Sequence, residues 1–132
     1  MTTLAHKKCV ACDGRTLRIA GEDAQEYLRE LPGWTLSENQ IEKEFKFKTY
    51  LDGVEFTYSL GKTAEEEGHH PDILVKWRRV KVILTTHAIK GLSENDFIMA
   101  AKADEIYRKL EFRQIALLLY ERRKREIEGW LS

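Results

Sequence analysis

Alternating apolar and charged residues from Ile41 to Lys48 constrain the fold of this chain more than any other feature of its sequence. One side of the segment carries Ile41, Lys43, Phe45 and Phe47, and the other carries only charged residues: Glu42, Glu44, Lys46 and Lys48. A period of two is typical of a β-strand with one buried and one solvated face. Such a strand needs antiparallel neighbours and a layer of helices over its apolar face. Lys43 is the one charged residue on the side expected to be buried.

Other segments supply those neighbours and that layer. In chain order, the sequence predicts a helix over 22–31, strands over 34–36 and 41–48, a helix over 51–67, strands over 73–77 and 80–86, and a helix from Ser93 past Leu110. Pro32-Gly33 and Gly68 end the first two helices, and a capping box from Ser93 to Asp96 begins the third. The order α-β-β-α-β-β-α predicts an α+β fold, an antiparallel sheet of these four strands with helices packed on one face and a long C-terminal helix.

The length of 132 residues suits one compact domain. We predict an N-terminal tail over residues 1–20, a domain over 21–110 and a C-terminal helical extension over 111–132. The extension has a partial heptad pattern, formed by Leu110, Leu117, Tyr120, Ile127 and Leu131 and interrupted by Arg113 and Lys124. This helix could pack on its own domain or contact another subunit.

Charge and composition exclude several classes of function. The 22 basic and 22 acidic residues cancel, so we expect no general attraction to nucleic acid or to an anionic membrane. The longest apolar run, Ile115 to Tyr120, is far shorter than the roughly 20 residues of a membrane span. Two cysteines cannot build a disulfide framework, and the first eight residues have no signal-like apolar stretch. These features predict a cytoplasmic protein.

Cys9 and Cys12 have the spacing of a metal knuckle or a redox pair, and His6 lies three residues before them. A structural zinc site needs four ligands, and the chain has no second cysteine pair. The interpretation favours an inert tail. Weak metal binding or an intermolecular disulfide is the alternative.

The segment Glu65-Glu66-Glu67-Gly68-His69-His70-Pro71 carries the strongest indication of chemistry. Three carboxylates in the last turn of a helix oppose the helix dipole, which indicates a compensating role. Carboxylates beside an imidazole stabilise its protonated form, which suits a histidine to exchange protons near neutral pH. Pro71 holds His70 extended, and His87 ends a predicted strand, so three histidines could meet at one rim of the sheet.

A structural interpretation of each residue stands beside this one. A histidine pair in a loop is most often only solvated, His87 could be an ordinary turn residue, and the glutamates could form a solvated charged surface. Asp96 is explained by helix capping alone. A metal site built from three histidines is disfavoured, because the neighbouring carboxylates lack helical ligand spacing.

Seven residues at fixed intervals resemble the signature of the pterin-4a-carbinolamine dehydratases. They are Glu65, His69, His70, Pro71, Trp77, His87 and Asp96. The surrounding segments are similar to the family as well, namely AEEEGHHPDILVKW, VILTTHAIKGLSENDFIMAAKADEI, LPGWTL and EFKFKTY. The resemblance covers roughly residues 22–107, and seven typed positions are hard to match by chance.

The resemblance implies a fold, an assembly and a set of roles. The fold is a four-stranded antiparallel sheet with helices on one side, assembled as a homodimer or homotetramer. His69 and His87 would be the acid and base, and His70 would bind the substrate. We further assign Pro71 to fixing the loop, Trp77 to an aromatic pocket wall, and Glu65 and Asp96 to orienting or charge-tuning the histidines.

The expected reaction is dehydration of a 4a-hydroxytetrahydropterin to a quinonoid dihydropterin. An acid protonates the leaving hydroxyl while ring nitrogens push it out, and a base removes a ring-nitrogen proton. No redox step occurs, so we expect neither a cofactor nor a metal. The alternative hypothesis is a non-catalytic module of the same fold that binds or dimerises with another protein.

Overall fold

The helices and strands follow the predicted order. A computed structural model describes residues 4–131, with side chains as far as residue 130. Its main elements are α1 (Gly21–Leu28), β1 (Thr35–Ser37), β2 (Gln40–Lys46), α2 (Tyr50–Glu67), β3 (Asp72–Lys76), β4 (Arg79–Leu84) and α3 (Glu94–Leu131). Single 3-10 turns lie at Leu4–His6 and His87–Ile89. The α-β-β-α-β-β-α order and the long C-terminal helix are confirmed.

The four strands form one antiparallel sheet in the order β1-β2-β4-β3. A two-residue turn of Trp77 and Arg78 joins β3 to β4, so these two strands form a hairpin. The register pairs Asp72, the first residue of β3, with Ile83 near the end of β4. The entrance of β3 and the exit of β4 therefore lie side by side.

The helices cover one face of this sheet. Alternate residues of β2 and β4 are buried, namely Ile41, Phe45, Val80, Val82 and Leu84. Helices α2 and α3 contribute Phe56, Leu60, Ala64, Phe97 and Ile98 to the same core. In α2, a Cβ atom added at Gly53 would lie 3.1 Å from Cγ2 of Val80, so a glycine permits this close approach of helix and strand.

The structure explains the charged residue on the buried side of β2. The Lys43 ammonium donates to Oδ1 of Asp104 at 2.8 Å and to the carbonyl of Pro32 at 3.0 Å. The indole N–H of Trp34 donates to the same buried carboxylate at 3.1 Å. Lys43 thus completes a polar cluster with Trp34 and Asp104 inside an otherwise apolar layer.

The N-terminal segment and the C-terminal extension differ in how they pack on the domain. Leu4, Ala5 and Ile19 are buried in the core, so the two ends of segment 4–20 pack against the domain, whereas most residues between them are exposed. The predicted extension is a continuation of α3, and its side chains from 111 to 130 are exposed except for the half-buried Gln114. Arg113 pairs with Glu55 of α2 at 2.5 Å. No helix within residues 4–131 is both long and apolar enough to cross a bilayer.

Candidate active site

His69 and His70 leave the end of α2 in opposite environments. Gly68 ends the helix as predicted, in the left-handed conformation with φ of 68°, and its N–H donates to the Ala64 carbonyl. His69 is 9% exposed, whereas His70 lies at the surface. The sequence predicted a pair in a stiff loop before β3, and the structure adds that the first imidazole turns inward.

Asp96 binds the inward histidine. Nε2 of His69 lies 2.7 Å from Oδ1 of Asp96, whose side chain is fully buried. The other oxygen, Oδ2, accepts the Ser93 N–H at 2.9 Å and the Thr86 hydroxyl at 2.7 Å. A carboxylate can only accept hydrogen bonds, so the proton between His69 and Asp96 belongs to Nε2. Asp96 therefore caps α3 and holds His69 with the same carboxyl group.

The second ring nitrogen of His69 is available. Nδ1 has no hydrogen-bond partner within the described part of the chain. Every buried side-chain nitrogen and oxygen among the described residues has a hydrogen-bond partner. Because Nδ1 of His69 has none, this atom is not buried and contacts solvent. With Nε2 as the donor to Asp96, a neutral His69 presents an unprotonated nitrogen to whatever occupies that space.

The outward histidine forms a separate pair. Nε2 of His70 lies 2.5 Å from Oε2 of Glu65, and both side chains are more than half exposed. Glu67, by contrast, accepts the backbone N–H of Cys9 at 2.7 Å and lies 3.8 Å from the Lys102 ammonium. The acidic end of α2 therefore serves two different contacts, one with a histidine and one with the N-terminal segment.

His87 lies next to the network of His69. The strand β4 ends at Leu84, two residues earlier than predicted, because Thr86 pairs with Gly91 across a tight loop. His87 follows directly, begins a 3-10 turn and is exposed. Its neighbour Thr86 donates to the Asp96 carboxylate that binds His69. The two predicted acid–base histidines are thus connected through one residue and one carboxylate.

Trp77 lies at the other end of the sheet. It occupies the β3–β4 turn, 73% exposed, with the Arg78 guanidinium 4.9 Å from its ring centre. Trp77 is six residues beyond Pro71 along β3, about 20 Å of extended chain. Within a single chain, Trp77 therefore lies far from the histidines. Its role as a pocket wall stays a prediction, and the position of Trp77 in the single chain does not support it.

The histidines do not form a ligand set for a metal. Within residues 4–131, no three His, Cys, Asp or Glu side chains are placed to share one ion. Cys9 and Cys12 instead flank Asn95 at the start of α3. Sγ of Cys12 accepts from Nδ2 of Asn95 at 3.0 Å, and Asn95 also exchanges two hydrogen bonds with the backbone of Val10.

Burial raises the pKa of the Cys9 thiol to about 12, and the nearby Glu67 carboxylate adds to the effect. We expect Cys9 to react with 2,2′-dithiodipyridine at pH 8 roughly 50-fold more slowly than a cysteine in an unfolded peptide. Its thiolate is about a thousandfold rarer, which the higher nucleophilicity of that thiolate offsets in part. Rates measured on Cys12→Ser isolate Cys9, and urea-unfolded protein is the control. Equal rates in folded and unfolded protein would show that the segment does not pack as described.

Thr86 and Ser93 are the site residues that sequence reasoning missed. The sequence indicated part of this arrangement, because its pattern marks Ser93 as the cap of the third helix. Its hydroxyl, however, lies 2.8 Å from Oγ1 of Thr86 and not against the backbone of its own helix. Only the loop between Thr86 and Gly91 creates that contact.

Comparison with known proteins agrees with the resemblance found in the sequence. The profile of the family described as pterin 4 alpha carbinolamine dehydratase matches residues 18–106. A relative from Alkaliphilus metalliredigens is 42% identical over 107 residues, covering 80% of this chain and 96% of its own. One from Rubrobacter xylanophilus is 39% identical, covering 80% of this chain and all of its own. Both carry the provisional name pterin-4-alpha-carbinolamine dehydratase.

A solved structure shows the same fold. The crystal structure of a transcriptional coactivator/pterin dehydratase from Brucella melitensis is 33% identical to this chain and superposes with a TM-score of 0.67. The match covers 69% of this chain and 99% of the Brucella chain. The chain belongs to the pterin-4a-carbinolamine dehydratase family.

Proposed function

We propose that this protein dehydrates a 4a-hydroxytetrahydropterin to a quinonoid dihydropterin, with His69 and His87 transferring the protons. The observation that carries the proposal is the buried Asp96 carboxylate, which holds His69 by Nε2 and leaves Nδ1 in contact with solvent. The family supports the substrate class, since its named members are pterin-4a-carbinolamine dehydratases.

In the proposed mechanism His69 is the base and His87 is the acid. The His87 imidazolium donates a proton to the 4a-hydroxyl, the bond from carbon to oxygen breaks, and water leaves. The lone pair of an adjacent ring nitrogen forms the new double bond to that carbon. Nδ1 of His69 then accepts the proton of that ring nitrogen, so the pterin receives one proton and loses one. His87 is exposed and can reload its proton from solvent.

His70 and Pro71 have supporting parts in this proposal. Pro71 restricts the backbone of His70, and Glu65 accepts a hydrogen bond from the His70 ring. That hydrogen bond orients the imidazole, whose other nitrogen can bind an edge of the pterin. We therefore expect His70 to affect substrate affinity more than turnover.

Stopped-flow absorbance with authentic 4a-hydroxytetrahydropterin tests the proposed function. We expect micromolar protein to accelerate dehydration well above the spontaneous rate, and EDTA to leave the acceleration unchanged, because proton transfer alone suffices. A rate equal to that in buffer would reject the activity. Loss of activity with a chelator, restored by one metal ion per chain, would reject the metal-free mechanism.

A second candidate function is protein binding, because the Brucella relative is described as a transcriptional coactivator as well as a pterin dehydratase. Wild-type protein that folds but does not accelerate dehydration would favour this candidate. The homodimer or homotetramer stays a prediction, which light scattering at micromolar concentration would test.

A further inference from the structure

Thr86 links the two proposed proton-transfer histidines, because it precedes His87 in the chain and donates to the Asp96 carboxylate that binds His69. Its backbone precedes His87 directly, and its side chain is 2% exposed. Its N–H donates to the Gly91 carbonyl at 2.8 Å, and its own carbonyl accepts the Gly91 N–H at 3.4 Å. This reciprocal pair closes the loop from Thr86 to Gly91 and thereby sets the position from which His87 extends.

The direction of each side-chain hydrogen bond follows from the carboxylate. Oδ2 of Asp96 can only accept, so the Thr86 hydroxyl donates its proton there at 2.7 Å. The Thr86 oxygen then accepts from the Ser93 hydroxyl at 2.8 Å. A buried chain therefore runs from Ser93 through Thr86 to Asp96 and ends at Nε2 of His69.

We propose that Thr86 is a positioning residue that fixes the tautomer of His69 and the location of His87 together. A carboxyl group rotates over a broad torsional range unless its oxygens are held. The Thr86 hydroxyl and the Ser93 N–H hold Oδ2, which keeps Oδ1 directed at Nε2 of His69. The proton then stays on Nε2, and Nδ1 remains free as the acceptor.

The kinetic part of this inference rests on the proposed function, whereas the tautomer is a property of the protein itself. Without the hydroxyl, Oδ2 keeps only its backbone donor and the Ser93 hydroxyl loses its acceptor. The carboxylate can then turn away from Nε2. Misplacement of a reacting group by about 1 Å can cost roughly 100-fold in rate, so Thr86 should affect kcat and not substrate binding.

The decisive variants are Thr86→Val, which removes the hydroxyl at constant shape, and Thr86→Ser, which keeps it. We expect Thr86→Val to lower kcat about 10- to 100-fold with KM changed less than about threefold. Thr86→Ser should stay within about threefold of wild type. Thr57→Val is the control, because the Thr57 hydroxyl on α2 donates to the Gly53 carbonyl at 2.8 Å and makes no hydrogen bond with Asp96 or with the loop from Thr86 to Gly91.

Nitrogen NMR of the imidazole of His69 tests the tautomer without any substrate. Neutral His69 should carry its proton on Nε2 in wild type and in Thr86→Ser, and should gain the Nδ1–H form in Thr86→Val. A wild-type His69 protonated on Nδ1 would overturn the proposal even if Thr86→Val failed to fold. Wild-type kcat and tautomer in Thr86→Val would overturn it too. An inactive wild type rejects only the proposed reaction, and the NMR result still decides the role of Thr86.

Discussion

His87→Ala should lower kcat for the dehydration by about 100- to 10,000-fold, the range typical of a lost general acid or base. The same change should leave thermal stability almost unaltered. His87 is exposed, and its side chain makes no hydrogen bond with any residue in the described part of the chain. Single-turnover stopped-flow at saturating substrate measures the rate, and a thermal melt by circular dichroism measures the stability.

His6→Ala is the matched control, because His6 is also an exposed histidine in a 3-10 turn but belongs to the N-terminal segment. We expect it to retain wild-type turnover. If His87→Ala and His6→Ala turned over substrate equally fast, His87 would have no part in proton transfer.

His69→Ala should behave differently from His87→Ala. The rate should fall over the same range, but the free energy of unfolding should also fall, by about 1 to 3 kcal/mol. The reason is that Oδ1 of the fully buried Asp96 loses its donor. This difference between the two histidines comes from the structure, which buries His69 and leaves His87 exposed.

The sequence predicted the features that depend on neighbouring residues. Alternation in β2, the glycine that ends α2 and the acidic cap at Asp96 each involve residues within a few positions of one another. The α-β-β-α-β-β-α order along the chain was predicted as well, because each element has its own local pattern, but the order of the strands within the sheet was not. Each of these features is decided by backbone geometry and by which side chains can face water.

The features that the sequence did not predict depend on contacts between distant segments. His69 and Asp96 are 27 residues apart, and Lys43 and Asp104 are 61 apart. Periodicity marks Lys43 as an exception without naming its partner. The local pattern marks Asp96 as a cap, and the resemblance assigns Asp96 to the histidines without indicating that it binds His69. The burial of Leu4 and Ile19 was missed for a similar reason, since isolated apolar residues in an irregular segment have no period.

The burial of Lys43 also leads to the prediction with the largest expected effect on stability. Asp104→Ala should lower the free energy of unfolding by about 3 kcal/mol, because breaking a buried ion pair leaves the other charge without compensation. The Asp104 side chain is 9% exposed and that of Lys43 is 22% exposed, so the ammonium can recover only part of its hydration. The Trp34 N–H loses its acceptor in the same variant.

Urea unfolding monitored by tryptophan fluorescence measures this loss, with Glu105→Ala as the control on the same helix. Glu105 pairs with Lys109 one helical turn away, near the surface, and a pair of that kind contributes only about 0.3 to 0.5 kcal/mol. Adding Lys43→Met to Asp104→Ala should restore part of the lost stability, since it removes the uncompensated charge. An Asp104→Ala variant as stable as Glu105→Ala would mean that the cluster of Trp34, Lys43 and Asp104 does not stabilise the fold. In that case the sheet would tolerate Lys43 because its long side chain reaches water, and Asp104 would have no role in accommodating it.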